Sequence, residues 1–419
     1  MREAAESPAD SGAAVRAEVA AWLEANWNPD LPLIEWRHRL LAARWASPSW
    51  PTKWHGRDLP SWADEVVAEE IGRVGAVGVP LGVGMGLAAP TVLAHGSDHV
   101  KQLLLGRILT GEDSWCQLFS EPGSGSDLAG LTTTARLDGD EWVVNGQKLW
   151  STSAHHAERG LLLARTDWNV PKHRGITCFA LPMHQHGVEA RPLRQMNGHS
   201  SFNEVFLTDA RIPVDDVIGA PGEGWRVALT TLAHERRYAT ARPAKPEPTG
   251  GRTVAEAAAE AEEYLRTYEW YPQRAGRADL VIEVARNVDR ADDPVVRQRI
   301  AALVAMQRTQ QWTARRAQTM RALGRQPGAE GSIGKLGASH VARMAAEVHS
   351  LLAGAEAMLV GPDAMLRGII GEILISVPAQ SIAGGTDEIQ RNILGEQMLG
   401  LPREPSTDRD VPFREIRGR

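Results

Sequence analysis

The sequence predicts an α+β chain built as a helical first part, a compact β domain and a helical last part. Three observations carry this. Apolar residues recur at helical spacing through the first third, the period changes to two between Ser114 and Pro213, and helical spacing returns after Pro221-Gly222-Glu223-Gly224. The expected boundaries are an N-terminal domain over 1–113, a middle domain over 114–220 and a C-terminal domain over 221–419, with an inserted loop and helix near 241–275.

Residues 1–12 read as disordered. Helices are expected at Ala13–Asn28, Leu40–Trp45, Trp62–Val74, Ala88–His95 and Asp98–Thr110. Seven of the fourteen Trp fall before residue 63, which suggests an aromatic-rich packing layer. The string TTTARLDGDEWVVNGQKLW reads as two strands joined by a hairpin turn at Asp138-Gly139-Asp140, with a second tight turn at Asn145-Gly146. Further strands are expected at Gly160–Arg165, Gly175–Pro182, Val188–Arg194 and Asn203–Leu207. Beyond them, Trp225, Leu229, Leu232 and Arg236 mark a helix. A breaker-rich loop (PAKPEPTGG) follows, then an Ala/Glu-rich helix over Val254–Tyr268 that reads as solvated, and long helices at Asp293–Leu323, Ser332–Ala353 and Asp387–Leu399.

A chain of 419 residues can bury a large core, and 43% hydrophobic with 23% charged residues is ordinary for a soluble protein. A net charge of −6 gives no electrostatic case for nucleic acid or an anionic membrane. Cys116 and Cys178 have no paired spacing and read as buried free thiols. His155, His156 and His234 offer no three-ligand spacing for a metal. The acidic start, MREAAESPAD, lacks the basic end of a signal peptide, and no run of about 18 apolar residues is present, so a cytoplasmic location is expected.

The stretch Trp115–Trp150 holds the densest functional signal. Glu121-Pro122-Gly123-Ser124-Gly125-Ser126-Asp127 places two glycines and small hydroxyls where the backbone can approach phosphate oxygens. EPGSGSDLAG followed by NGQKLWST resembles the signature of the acyl-CoA dehydrogenase family, and IAGGTDEIQRNILGE is similar to that family's C-terminal signature. The resemblance runs from about Pro48 to Pro405. It departs at PTKWHGRDLP, where the family usually carries Pro-x-x-x-Gly-Gly.

The resemblance implies a middle domain of β-barrel or sandwich type, FAD as cofactor, an acyl-CoA thioester as substrate and electron-transfer flavoprotein as electron acceptor. It also implies a homo- or hetero-oligomer, with neither nucleic acid nor membrane as partner. Gln117, Phe119 and Ser120 would line the isoalloxazine and Ser126 would lie near the pyrophosphate and substrate. Trp150 would pack on the ring, Thr152 would bond its N5 edge, and Thr386 and Glu388 would meet the cofactor from the C-terminal signature. Arg286 (or Arg290), Gln298, Ser350 and Gly354 stand near positions that the family uses against a neighbouring subunit's flavin, although no matching Phe accompanies them.

Desaturating a thioester needs a base for the α-proton, donors for the enolate-like oxygen and a hydride acceptor, which must be a cofactor. Most members of the family carry Glu immediately before Gly-Thr in the C-terminal signature; here Gly384 stands there, in Ala383-Gly384-Gly385-Thr386. Other branches place the base on the helix after the β domain, in a Leu-x-x-Glu-Arg string, which Leu232-Ala233-His234-Glu235-Arg236 matches. Helical spacing sets Glu235 with Ala228, Thr231 and Leu232, and a carboxylate among apolar neighbours has its pKa raised, which suits a base acting on a carbon acid. Glu235 is therefore the expected base. Gly384 and Gly385 are expected to line the thioester, leaving room for a bulky or branched acyl group, and Arg236 to meet the CoA phosphates. The alternatives are a non-catalytic partner subunit, which a flavin-loaded protein would exclude, and an acyl-CoA oxidase, which peroxide yield would reveal.

Overall fold

The computed structural model describes residues 8–238, 250–322 and 329–416. They form two compact units, the first made of 8–193, 201–238, 250–267 and 407–416, the second of 194–200, 268–322 and 329–406. Residues 243–249 of the PAKPEPTGG loop, the first seven residues and Leu323 lie outside the described residues.

In the first unit, helices α1 (Pro8–Asn26), α2 (Leu33–Ala42) and α3 (Trp62–Arg73) bury Val19, Leu23, Trp36, Leu40 and Val67 in one layer. Trp22 and Trp27 pack against Trp36, the aromatic layer that the Trp distribution predicts. Two boundaries differ from expectation. The helix α1 starts at Pro8, inside the segment read as disordered, and α2 spans Leu33–Ala42 instead of Leu40–Trp45. Pro32 fixes the entry to α2, Leu33, Trp36 and Leu40 form its buried stripe, and Arg44 at φ 61 ends the run before Trp45. Gly56 of PTKWHGRDLP has a local reason: a Cβ there would lie 1.8 Å from the Trp50 carbonyl oxygen. Helix α4 (Ala89–His95) follows a π turn at Gly84–Ala88, and α5 (Asp98–Thr110) runs as predicted between a Ser97 cap and left-handed Gly111.

Among the described residues, eight strands form one sheet: β1 (Trp115–Leu118), β2 (Thr134–Asp138), β3 (Glu141–Thr152), β4 (Arg159–Arg165), β5 (Ile176–Pro182), β6 (Val188–Leu193), β7 (Phe202–Pro213) and β8 (Val217–Ile218). Their order is β6-β7-β3-β2-β4-β5-β8, with β1 parallel to β4. Both faces are covered. Leu161, Leu163, Ile176 and Cys178 join one core with α4 and α5, while Leu162, Ala164, Phe179 and Val205 join the other. The Gly139-Asp140 hairpin forms as read, with Asp138 opposite Glu141. Asn145-Gly146 is not a turn. It lies inside β3 at a register shift against β7, where a Cβ on Gly146 would meet the Thr133 Oγ at 2.4 Å. Strand β7 runs past Leu207 to Pro213 because Ala210 and Ile212 continue the inward alternation, and β8 is a short strand that the sequence reading missed.

Helix α6 (Gly224–Tyr238) buries Val227, Ala228 and Thr231; Leu229, expected on its inner stripe, is 51% exposed. Helix α7 (Arg252–Arg266) corrects the solvated reading. Val254, Ala257, Ala258 and Ala261 are buried, Glu256 accepts from the Leu33 N–H at 2.8 Å, and Glu260 pairs with buried Arg37 at 2.7 Å. Glu256 and Glu260 thus serve the first layer.

The second unit holds α8 (Tyr271–Arg274), α9 (Val281–Asn287), α10 (Pro294–Ala322), α11 (Glu330–Ala353), α12 (Ile369–Ser376), α13 (Pro378–Ile382) and α14 (Asp387–Ile393). Its core joins Val284, Val296, Leu303, Ala345 and Val348 from α9, α10 and α11. Among the described residues, an 18-residue window within Met365–Met398 reaches a mean hydropathy of 1.2, and α12, α13 and α14 in that stretch have 8, 5 and 7 residues. Each is shorter than the roughly 20 residues a helix needs to cross a bilayer. Cys116 and Cys178 are both free and fully buried, Cys116 with its Sγ 3.9 Å from the Met183 Sδ.

Candidate active site

In the first unit, α6 carries Glu235 to the strand β1. The helix can start hard against β5 because residue 224 is glycine: a Cβ there would lie 2.7 Å from the Ile176 carbonyl oxygen. Val227 and Ala228 then enter the core, and the Thr231 hydroxyl, 0% exposed, meets the Thr91 hydroxyl at 3.0 Å. One turn further on, Glu235 is half-buried, and the Gln117 Nε2 donates to its Oε2 at 3.3 Å. Gln117 is itself the half-buried residue of a strand whose Trp115, Cys116 and Leu118 are buried. Two residues expected in the site, 118 positions apart, are therefore in contact. The side chain of Arg236 lies outside the described residues.

The glycine-rich turn is fixed by a pair of charges that the sequence reading did not single out. Lys148, 0% exposed, donates to the Glu121 Oε1 at 2.8 Å and to the Phe119 carbonyl at 3.1 Å. Glu121 also accepts from the backbone N–H groups of Thr132 and Thr133, at 2.6 and 2.9 Å. Burial alone would push the Glu121 carboxyl up, but the Lys148 charge and these donors outweigh it and hold the group at about 2. Burial pushes Lys148 down, against the pull of Glu121. A buried pair with its lone pairs filled in this way fixes geometry more than it adds stability. The only signal in the sequence was that both charges sit inside the two signature strings.

Between these anchors the turn is open. Phe119 is buried, Ser120 is half-buried with its carbonyl accepting from the Leu149 N–H at 2.9 Å, and Ser126 is exposed. Nothing lies within 4 Å of a Cβ built on Gly123 or Gly125. Trp150 occupies a left-handed φ of 63 at a register shift between Lys148 and Ser151 and stays 53% exposed, with its ring edge-on to Phe202 at 5.7 Å. A large residue in that conformation is costly, and the bulge re-aims its side chain away from the core. Half-buried Thr152 pairs with Phe202 on the neighbouring strand.

In the second unit, the end of α13 and the start of α14, which flank the Gly384-Gly385 loop, are clamped to α11. The Lys335 Nζ donates to the Gln380 carbonyl at 2.6 Å, where the Ser339 hydroxyl also donates at 3.0 Å. Arg343 donates to the Ser381 hydroxyl and to buried Asp387, at 2.8 and 2.7 Å. Gly384 and Gly385 adopt φ 68 and 85; a Cβ on Gly384 would find only the Lys335 Cε, at 4.0 Å. The Thr386 Oγ caps α14 by accepting from the Ile389 N–H at 3.2 Å, and exposed Glu388 pairs with Arg391. Arg286, Gln298 and Ser350 are exposed on α9, α10 and α11, and Gly354, at φ 56, ends α11 by donating to the Ser350 carbonyl. Arg290 is engaged with Asp293 and the Leu351 carbonyl, both at 2.6 Å, so of the two arginines Arg286 is the exposed one.

An open Gly/Ser turn, an exposed indole held off the core and a half-buried carboxylate beside an amide suit a flat cofactor with a diphosphate and a substrate that loses a proton. The chain belongs to the acyl-CoA dehydrogenase family: the models of the N-terminal, middle and C-terminal domains match residues 9–112, 116–210 and 222–399. It is 35% identical over 325 residues to acyl-CoA dehydrogenase IpdE1 of Mycobacterium tuberculosis, covering 74% of this chain and 75% of that protein. Over 191 residues it is 46% identical to acyl-CoA dehydrogenase FadE34 of the same organism, 45% of this chain and 26% of that one. A chain of the M. tuberculosis ChsE4–ChsE5 complex superposes with a TM-score of 0.62 at 26% identity, covering 96% of this chain and 100% of that one. The protein is an acyl-CoA dehydrogenase, and its cofactor is FAD.

Proposed function

We propose that this enzyme removes the α-proton of an acyl-CoA thioester with Glu235. The contact between Gln117 and the Glu235 carboxylate carries the reading, since it sets a half-buried base beside the strand that leads into the glycine-rich turn. The amide orients the carboxylate, and the carboxylate takes the proton. Gln117, Phe119, Ser120, Trp150 and Thr152 hold the flavin ring, Ser126 the diphosphate, and Thr386 and Glu388 the edge presented to the C-terminal signature. FAD, when bound, supplies the acceptor for the β-hydride.

Gly384 and Gly385 offer backbone N–H groups to the thioester oxygen, and the space about Gly384 suits a bulky or branched acyl group. Arg236 meets the CoA phosphates. Arg286, Gln298, Ser350 and Gly354 serve an adjoining subunit's flavin. Oligomer formation is supported by exposed Met358, Val360, Ile382 and Leu399 in the second unit, and likeness to a chain of the ChsE4–ChsE5 complex favours a hetero-oligomer. Electron-transfer flavoprotein takes the electrons, in the cytosol.

Anaerobic mixing with a panel of acyl-CoAs tests this. Wild type is expected to bleach fastest with bulky or branched chains, and Glu235→Gln to bind without bleaching. Bleaching of Glu235→Gln at the wild-type rate would move the base elsewhere.

A further inference from the structure

The family models stop at residue 399, yet residues 407–416 are built into the first unit. The Phe413 N–H donates to the Val170 carbonyl at 2.9 Å and the Arg414 N–H to the Trp168 carbonyl at 3.1 Å. The Phe413 ring is 1% exposed and lies 3.5 Å from the guanidinium carbon of Arg165 and 5.2 Å from the Trp168 ring. Asp408 accepts from the Lys172 Nζ at 2.9 Å.

Both contacts lead to the same place. Lys172 also reaches Asp127, the last residue of the glycine-rich turn, at 3.2 Å. Arg165, fully buried under Phe413, donates to the carbonyls of Ala129 and Leu131, just after that turn, at 2.7 and 3.1 Å, and to the Lys172 carbonyl at 3.1 Å. The turn thus has two anchorages. Glu121 and Lys148 hold its entry and its far end at Thr132-Thr133, whereas Arg165 and Lys172, under the tail, hold the segment from Asp127 to Leu131.

We propose that the tail over 407–416 braces the glycine-rich turn for FAD, with Phe413 as a positioning residue that acts through Arg165. This rests on the reading that the turn meets the flavin diphosphate. A turn fixed beforehand loses less freedom when it closes on its ligand, so removing the brace weakens FAD without touching any residue of the flavin site.

The experiment is titration of the apoprotein with FAD, followed by flavin fluorescence, with far-ultraviolet circular dichroism and melting as checks on the fold. A chain ended after Pro405 is expected to bind FAD about tenfold more weakly, and Phe413→Leu, which keeps apolar volume but loses the ring, roughly threefold. Phe413→Leu serves as the deciding variant if the shortened chain does not fold. Ser126→Asp, in the intact chain, sets a negative charge against the diphosphate and tests the underlying reading. Weak binding by Ser126→Asp with unchanged binding by Phe413→Leu overturns the brace alone. Unchanged binding by Ser126→Asp overturns the reading of the turn, and the brace with it.

Discussion

Position 235 lies within a helix whose buried face runs through Val227, Ala228 and Thr231, and its carboxylate is held by an amide from a strand. Position 384 lies exposed in a left-handed bend, where a side chain would find a single neighbouring carbon. One place is shaped for a side chain. The other is shaped for backbone, since a left-handed residue other than glycine pays roughly 1–2 kcal/mol. The contrast extends to their supports. The turn beside Gln117 is pinned by charges with side chains 0% and 4% exposed, while the helix ends flanking the loop at Gly384 are clamped by Lys335 and Arg343, 14% and 40% exposed. Chemistry that depends on side-chain placement belongs on the first kind of support, and variation in substrate size is tolerated on the second.

The largest effect that separates the two comes from the carboxylate. Glu235→Gln should lower the rate of anaerobic flavin reduction by about 10²–10⁴-fold with acyl-CoA binding retained; a small loss would erase the contrast. Next is Lys148→Met, which leaves the Glu121 charge buried without its partner and should cost about 3–5 kcal/mol in chemical denaturation. A cost near zero would mean that the turn is held some other way.

The same pair predicts an acid limit. The Glu121 carboxyl sits at about 2 in the folded protein, below its ordinary 4.5. Its contribution to stability is therefore complete above pH 4.5 and is lost as the pH falls toward 2. Melting temperatures taken from pH 5 to pH 2 should fall more steeply for wild type than for a Glu121→Gln/Lys148→Met double variant. Parallel slopes would remove the pair from the explanation. The smallest effect is that of Gly384→Ala, with roughly 1–2 kcal/mol of left-handed strain. It should slow turnover of bulky acyl-CoAs more than of butyryl-CoA, and an equal effect on both would deny that this bend faces the acyl group.

Much of this was legible in the sequence where local chemistry decides the outcome. Helix α5 carries its own cap at Ser97 and stop at Gly111, and the β2–β3 hairpin its Gly139, so both formed as read. Asn145-Gly146 failed because pairing of β3 with β7 overrode a local turn preference. Helix α7 failed for a related reason: an Ala/Glu pattern does not reveal that Glu256 and Glu260 meet Leu33 and Arg37 more than 200 residues away. In the site, Glu235 and Gln117 could be named only through resemblance to a family, because no spacing brings a helix and a strand together across 118 positions. Glu121 and Lys148 escaped notice because charges read as surface until burial shows otherwise.

The two cysteines offer a last consequence. Each thiol is enclosed, and burial pushes both well above the usual range, so neither presents the thiolate that alkylating reagents attack. Native protein should consume almost no maleimide. A single cysteine introduced at an exposed position would then be its sole labelling point, with no background to subtract.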